Sequence, residues 1–171
     1  MGILVAGEDP MAIPRLTSSS RRQGARILIA DENPATLEFF SCLLEDRGFA
    51  TLTADSGEAV MRLLLRVVGW DEQDWEINSG DVIMRSQRLP ISVILIGDLM
   101  KPPVDGLDLI RRLRPYHTPI VVATSYGADY ALLAKMAGAK IIVHKFADPI
   151  YLITTIEEAL QARLFPRIPP R

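Results

Sequence analysis

The sequence predicts an α/β domain built on a doubly wound, five-stranded parallel sheet, and three observations predict it. Four short runs rich in Ile, Val and Leu, and a fifth that reads Ala-Thr-Leu-Thr-Ala, recur along the chain, separated by segments of helical periodicity. The run at 91–97 is almost continuously apolar rather than alternating, as strands covered on both faces are. Two of the helical segments open on an Asn-Pro or Asp-Pro pair, a cap followed by the residue best suited to a first helical position. Strict alternation of strand and helix implies a parallel sheet with helices on both faces.

Residues 1–25 precede this pattern. They mix Pro14, the run Ser18-Ser19-Ser20 and Arg21-Arg22 without a sustained period, and read as an N-terminal extension. The domain is expected over 26–164, with 165–171 as a C-terminal tail. "RILIA" (26–30) is the first strand. Asn33-Pro34 then opens a helix whose Leu37, Phe40, Leu43 and Leu44 share one face, with Gly48 ending it and Cys42 expected as a small core residue. "ATLTA" (50–54) is the second strand, and Asp55 with Glu58 has capping-box spacing for a helix through Leu65. "ISVILIG" (91–97) is the third strand, followed by a short helix around Leu107–Leu113. "PIVVAT" (119–124) is the fourth, and "ADYALLAKMAG" the helix after it. "KIIVH" (140–144) is the fifth, and Asp148-Pro149 starts a last helix with Leu152, Ile153, Ile156 and Leu160 inward. One stretch breaks the alternation. Residues 66–90 form an insertion between helix two and strand three; it holds Trp70 and Trp75 and reads as a hairpin around Asn78-Ser79-Gly80. Exposed aromatics anchor interfaces, so a partner-binding element is one expectation for it, and cover for the domain's own core is the other.

Composition narrows the function. A chain of 171 residues, about half of them apolar, supports one core, and a net charge of −2 favours neither nucleic acid nor an anionic membrane. The one cysteine fits a reducing compartment. No apolar run reaches the length of a membrane span. Glu8 and Asp9 come too early for a secretory signal, and Ala6 stands where myristoylation needs Ser or Thr. A cytoplasmic protein is expected.

The polar residues fall where such sheets bind ligands, at the carboxyl ends of the strands. Asp31 and Glu32 follow strand one, Asp98 follows strand three, Thr124 and Ser125 end strand four, and Lys145 ends strand five. Converging carboxylates repel one another unless a cation sits among them, and oxygen ligands favour Mg²⁺. A metal, a nucleophilic carboxylate and a Thr/Lys pair suit phosphoryl transfer. Taken singly, each of these residues is also an ordinary cap, turn former or solvated side chain.

Four segments together resemble the receiver domains of two-component response regulators, from about Arg26 to Leu160. "DLMKPPVDG" (98–106) looks like the phosphoacceptor segment, "ILIADEN" like the first strand with its acidic pair, "TPIVVATS" like the fourth and "GAKIIVHKFADP" like the fifth. The resemblance implies a flavodoxin-like receiver fold and a phosphoprotein that serves in phosphorelay signal transduction. In it Asp98 accepts a phosphoryl group from a histidine kinase or phosphotransfer protein. Glu32 is the direct acidic metal ligand, Asp31 its outer partner, and the Met100 carbonyl a third ligand for Mg²⁺. Thr124 and the Ser125 amide hold phosphoryl oxygens, Lys145 pairs with the phosphoryl group, and Met100 and Tyr126 tune its loss.

There are departures. The family usually has a cis Lys–Pro bond at strand five; here Phe146 follows, and a cis bond there costs about 2.5–4 kcal/mol, so trans is expected. The family's switch aromatic is Ile142, and Gly97 precedes the acceptor where bulkier apolar residues are common. The catalytic set is complete; the relay to an output surface is altered. The ten residues "ARLFPRIPPR" after the last helix are too short for an output domain, so output by binding a downstream protein is expected, with a homodimer left open. A phosphorylation-independent docking module (a pseudo-receiver) is the first rival. A metal-dependent phosphohydrolase is the second, weakened because an Asp-x-Asp nucleophile motif is replaced by Asp98-Leu99-Met100. The chain is not expected to be an enzyme beyond self-phosphorylation and self-dephosphorylation.

Overall fold

The computed structural model describes residues 24–68 and 90–164. Five strands form one parallel sheet: β1 (Arg26–Ala30), β2 (Ala50–Ala54), β3 (Val93–Ile96), β4 (Ile120–Thr124) and β5 (Ile141–His144). Their order is β2-β1-β3-β4-β5. The helices between them are α1 (Pro34–Glu45), α2 (Gly57–Val68), α3 (Gly106–Leu113), α4 (Ala128–Ala137) and α5 (Pro149–Leu164). This is the doubly wound sheet expected from the alternation. The chain runs from β1 out to β2, then crosses to the other side of β1 to lay down β3. The carboxyl ends of β1 and β3 therefore flank the switch in strand order, where a crevice opens.

Alternation along the strands divides the core in two. Ile27, Ile29, Val93, Leu95, Val121 and Ala123 face α1 and α5, against Phe40, Leu44, Leu152 and Ile156. Leu28, Ala30, Ile94, Ile96 and Val122 face α2, α3 and α4, against Val60, Leu64, Leu109, Leu113 and Ala134. A strand buried on both faces has no polar side to alternate with, hence the continuous apolar runs.

Caps set the helix starts. Asn33 accepts a hydrogen bond from the Ala35 N–H at 2.9 Å, and Asp148 accepts one from the Ile150 N–H at 2.7 Å, as their positions before proline suggest. Asp105 does the same for Asp108 at 2.8 Å. Gly48 has φ +84°, the left-handed turn that ends α1. All four apolar residues expected inward on α5 are buried.

Some boundaries and roles differ from expectation. The cap of α2 is Ser56, whose hydroxyl accepts from the Ala59 N–H at 3.2 Å, so the capping residue is one later than Asp55. That helix runs on to Val68, and β3 is shorter at both ends than 91–97, although Ile91 is buried. Cys42 is exposed, not a core residue; the inward face of α1 is taken by Phe40 and Leu44, two positions to either side, which turns position 42 outward. The hairpin expectation, with both tryptophans, falls on 69–89 and lies outside the described residues, as does most of the N-terminal extension. Among the described residues, no helix is long and apolar enough to cross a membrane.

Candidate functional site

The residues singled out at the strand ends meet around one carboxylate. Asp98, the second residue after β3, takes the Thr124 hydroxyl on Oδ1 at 2.7 Å and the Ser125 hydroxyl on Oδ2 at 2.7 Å. The Ser125 N–H also points at it, 3.2 Å from Oδ2. Lys145 Nζ lies 3.3 Å from the same Oδ2. The parallel register makes this convergence automatic, since β3, β4 and β5 are adjacent and end at the same edge. Thr124 is held in turn, its hydroxyl oxygen accepting from the Tyr126 N–H at 3.0 Å.

Asp31 forms the second pole of the site. It is almost wholly buried, at 1% exposure. Its Oδ1 accepts from the Asn33 N–H at 2.8 Å, and its Oδ2 from the Asp98 N–H at 3.1 Å. Lys145 Nζ is 2.6 Å from that Oδ2, closer than to Asp98. One ammonium thus serves two carboxylates across the switch point, which is how a low-polarity crevice tolerates both charges.

Glu32 behaves differently. The expectation that all three carboxylates converge holds for Asp31 and Asp98 but not for Glu32. Its Oε1 accepts from the N–H groups of Met100 and Lys101, each at 2.6 Å, and Lys101 Nζ lies 3.6 Å from Oε2. A carboxylate beside two free N–H groups takes them in preference to facing other carboxylates. Among the described residues, no three of Asp, Glu, His and Cys are grouped as a metal cage.

Electrostatics follow the contacts. Burial alone pushes the Asp98 carboxyl up, but the Thr124 and Ser125 hydroxyls, the Ser125 N–H and Lys145 together hold it below the ordinary range. Glu32 is likewise lowered: desolvation opposes ionisation, and the amides of Lys101 and Met100 with the Lys101 charge outweigh it. Both are acceptors for charged chemistry at neutral pH.

Around this centre, Met100 and Tyr126 stand at the rim, 47% and 45% exposed. The Tyr126 ring packs on Tyr130 at 5.4 Å. The peptide bond between Lys145 and Phe146 is trans, as expected, and Phe146 is exposed. His144 points outward and its Nδ1 accepts from the Phe146 N–H at 3.2 Å, so it shapes the turn after β5. Ile142 is half-buried against the core.

Three contributions escaped sequence reasoning. The Ser125 hydroxyl, not only its amide, reaches Asp98. Tyr130 is half-buried beside the site, its hydroxyl buried without a hydrogen-bond partner among the described residues. Burial first, then the charges of Asp98 and Asp105, push its phenol up to about 12. Gly97 makes room: a Cβ there would overlap Asp31 Oδ2 and lie 2.7 Å from Asp31 Cγ. The signal for Gly97 was visible, a glycine between a continuously apolar strand and an aspartate.

Comparison with known proteins agrees with the fold. A family model described as the response regulator receiver domain matches residues 27–157. The chain is 26% identical over 137 residues to the response regulator GtcR of Aneurinibacillus migulanus, covering 79% of this chain and 47% of that protein. It is 25% identical over 141 residues to the transcriptional regulatory protein GlrR of Escherichia coli strain K12, covering 80% of this chain and 26% of that one. The chain therefore spans about half or less of these two relatives. Among solved structures, a response regulator receiver domain protein from Clostridium thermocellum superposes with a TM-score of 0.62 at 24% identity, over 82% of this chain and 97% of that one. The receiver domain of the histidine kinase CKI1 from Arabidopsis thaliana, complexed with Mg²⁺ and BeF₃⁻, gives 0.61 at 23%, over 82% and 95%.

Proposed function

The chain belongs to the response regulator receiver domain family, and from that premise we propose that Asp98 accepts a phosphoryl group from a partner's phosphohistidine and that the domain signals by binding another protein. One observation carries the reading: a single carboxylate receives the Thr124 hydroxyl, the Ser125 hydroxyl and amide, and the Lys145 ammonium. A structural aspartate needs one or two such partners. Four donors around one carboxylate form a cradle for the oxygens of a group bonded to it.

In the transfer, an Asp98 oxygen attacks phosphorus as the phosphorus–nitrogen bond to the imidazole breaks. The bonding pair returns to the ring, which leaves as histidine. Charge on the moving group is met by Lys145, and its oxygens by the Thr124 hydroxyl and Ser125 amide.

The donor set fits Mg²⁺. Asp31 and Asp98 are already close enough to share one cation, Glu32 follows Asp31 directly, and every donor is a hard oxygen. Asp31, Glu32, Asp98 and the Met100 carbonyl would hold the ion, with Glu32 giving up its two amides. When bound it would supply neutralisation of the acceptor and the transferred group. The chemistry is self-phosphorylation and self-dephosphorylation only, with no substrate turnover, and we place the domain in the cytoplasm.

A second reading, a docking module that does not use phosphorylation, is favoured by Glu32, whose carboxylate is already satisfied by Met100 and Lys101. Incubation with a small phosphodonor and Mg²⁺, followed by intact mass, separates the readings. One added phosphate per chain supports the acceptor, none supports docking, and continued release of phosphate supports a hydrolase.

A further inference from the structure

We propose that Gly97 is a positioning residue of this site: its missing side chain forms the seat in which Asp31 holds Lys145 beside Asp98. The inference rests on the reading of Asp98 as phosphoacceptor, and it names what keeps the acceptor's lysine in place.

The seat is rigid on both sides. The Gly97 N–H donates to the Ala30 carbonyl at 2.7 Å, and the Asp31 N–H to the Ala54 carbonyl at 3.1 Å. Sheet pairing thus fixes both backbones at the point where they pass. A Cβ on residue 97 would overlap Asp31 Oδ2, lie 2.7 Å from Cγ and 3.0 Å from Cβ. With the backbones pinned, the Asp31 carboxylate is the part that must yield. It has little freedom, because it is buried and both its oxygens are engaged.

The oxygen that would be displaced is the one that matters. Asp31 Oδ2 takes the Asp98 N–H at 3.1 Å and the Lys145 ammonium at 2.6 Å. Lys145 is 8% exposed, and Asp98 is its second carboxylate, at 3.3 Å. If Asp31 leaves, the ammonium keeps only Asp98, and it closes on Oδ2 beside the Ser125 hydroxyl. With Gly97 in place, Asp31 carries the tighter contact and Asp98 the looser one. The lysine then stays near enough to meet the incoming charge without adding a second close contact to an Oδ2 that the Ser125 hydroxyl already holds at 2.7 Å. A side chain at position 97 does not touch the reacting atoms; it acts through Asp31 and Lys145.

The test is a cycle of Gly97→Ala, Asp31→Gly and the double variant. Asp31→Gly removes the three atoms nearest to the new methyl group. Three quantities are read: melting temperature, labelling rate with phosphoramidate and Mg²⁺, and acetylation of Lys145 by an amine-reactive reagent, mapped by mass spectrometry. Gly97→Ala alone is expected to lower the melting temperature by about 4 °C or more. It slows labelling by about tenfold or more, since a catalytic group is displaced, and raises Lys145 acetylation several-fold. In the Asp31→Gly background the same substitution costs no melting temperature and adds nothing to Lys145 acetylation, while labelling is compared only between wild type and Gly97→Ala because Asp31 is itself placed at the Mg²⁺ site. Additive effects, or a Gly97→Ala protein identical to wild type, would overturn the inference. If the wild type takes no phosphate, the reading of Asp98 fails, while melting and lysine acetylation still decide the role of Gly97.

Discussion

The Thr124 hydroxyl donates to Asp98 Oδ1 across 2.7 Å, tying the end of β4 to the second residue after β3. Asp98→Asn keeps the shape of that contact but lacks a nucleophilic carboxylate. Labelling by a phosphodonor is expected to vanish. The fold is expected to persist, because Lys145 retains Asp31 at 2.6 Å and is not left as a buried unpaired charge. Intact mass and circular dichroism on the same sample check both halves. Undiminished labelling of the variant would move the acceptor elsewhere.

The same contacts make stability depend on pH. Asp98 has its carboxyl lowered from an ordinary value of 3.8, since its donors outweigh the cost of burial. A lowered folded-state value means that the charged form favours the native state. That contribution is complete above the unfolded value and is lost as pH falls through the folded one. The stability gap between wild type and Asp98→Asn is therefore expected to shrink below about pH 4. Urea melts at pH 7 and at successively lower pH measure it; a gap that widens on acidification would contradict the assignment.

Much of this was legible in the sequence, and the reasons differ by element. β1 and β2 match expectation residue for residue because each short strand-forming run ends in alanine directly before an aspartate, Asp31 or Asp55. Asp31, Asp98, Thr124 and Lys145 could be placed at one edge because parallel strands end together. What could not be read was the orientation of side chains within that edge. Glu32 follows Asp31 directly and has the same charge, yet it turns to the amides of Met100 and Lys101. That choice depends on a loop whose path the pattern does not encode. The Ser56 cap was missed because Asp55 and Ser56 are both good caps and one-residue shifts are invisible to periodicity.

Glu32→Gln tests the metal assignment. The Gln carbonyl still accepts the two amide N–H groups, so folding is expected to be unaffected. The Lys101 contact is lost, but Lys101 is largely exposed and the pair contributes at most about 1 kcal/mol. Loss of one negative ligand is expected to weaken Mg²⁺ binding by about tenfold or more. Calorimetric titration of Mg²⁺ into wild type and variant reads this directly. Equal affinities would remove Glu32 from the metal site.

Tyr130 offers an opposite sign of effect. Its hydroxyl is buried with no partner among the described residues, close to the space that Gly106 leaves open. An unsatisfied buried polar atom costs about 1–3 kcal/mol. Tyr130→Phe removes the atom and keeps the ring packed against Tyr126, so the unphosphorylated protein is expected to gain about 1 kcal/mol of stability. Chemical denaturation checks it, and a loss of similar size would mean that the hydroxyl has a partner after all.

The last prediction concerns how long a phosphoryl group would stay on Asp98. Its loss requires water to attack phosphorus in line with the bond to the aspartyl oxygen. Met100 and Tyr126 stand at the rim of that approach, two residues after Asp98 and Thr124 respectively. Neither carries a carboxylate or carboxamide to orient a water. Both are bulky, and the Tyr126 ring is braced by Tyr130 at 5.4 Å, while its N–H holds the Thr124 hydroxyl oxygen at 3.0 Å. Each is about half exposed, so each covers the rim rather than filling the cradle. Slow dephosphorylation is therefore expected, suited to a persistent signal more than a fast switch. The measurement is the decay of purified phosphoprotein in Mg²⁺ buffer, wild type against Met100→Asn combined with Tyr126→Glu. The double variant places a carboxamide and a carboxylate at the rim and opens it. It is expected to lose phosphate about tenfold faster or more, the scale of a positioned general base. Decay of the wild type at the variant's rate would refute the shielding argument, because bulk at positions 100 and 126 would then have no bearing on the attacking water.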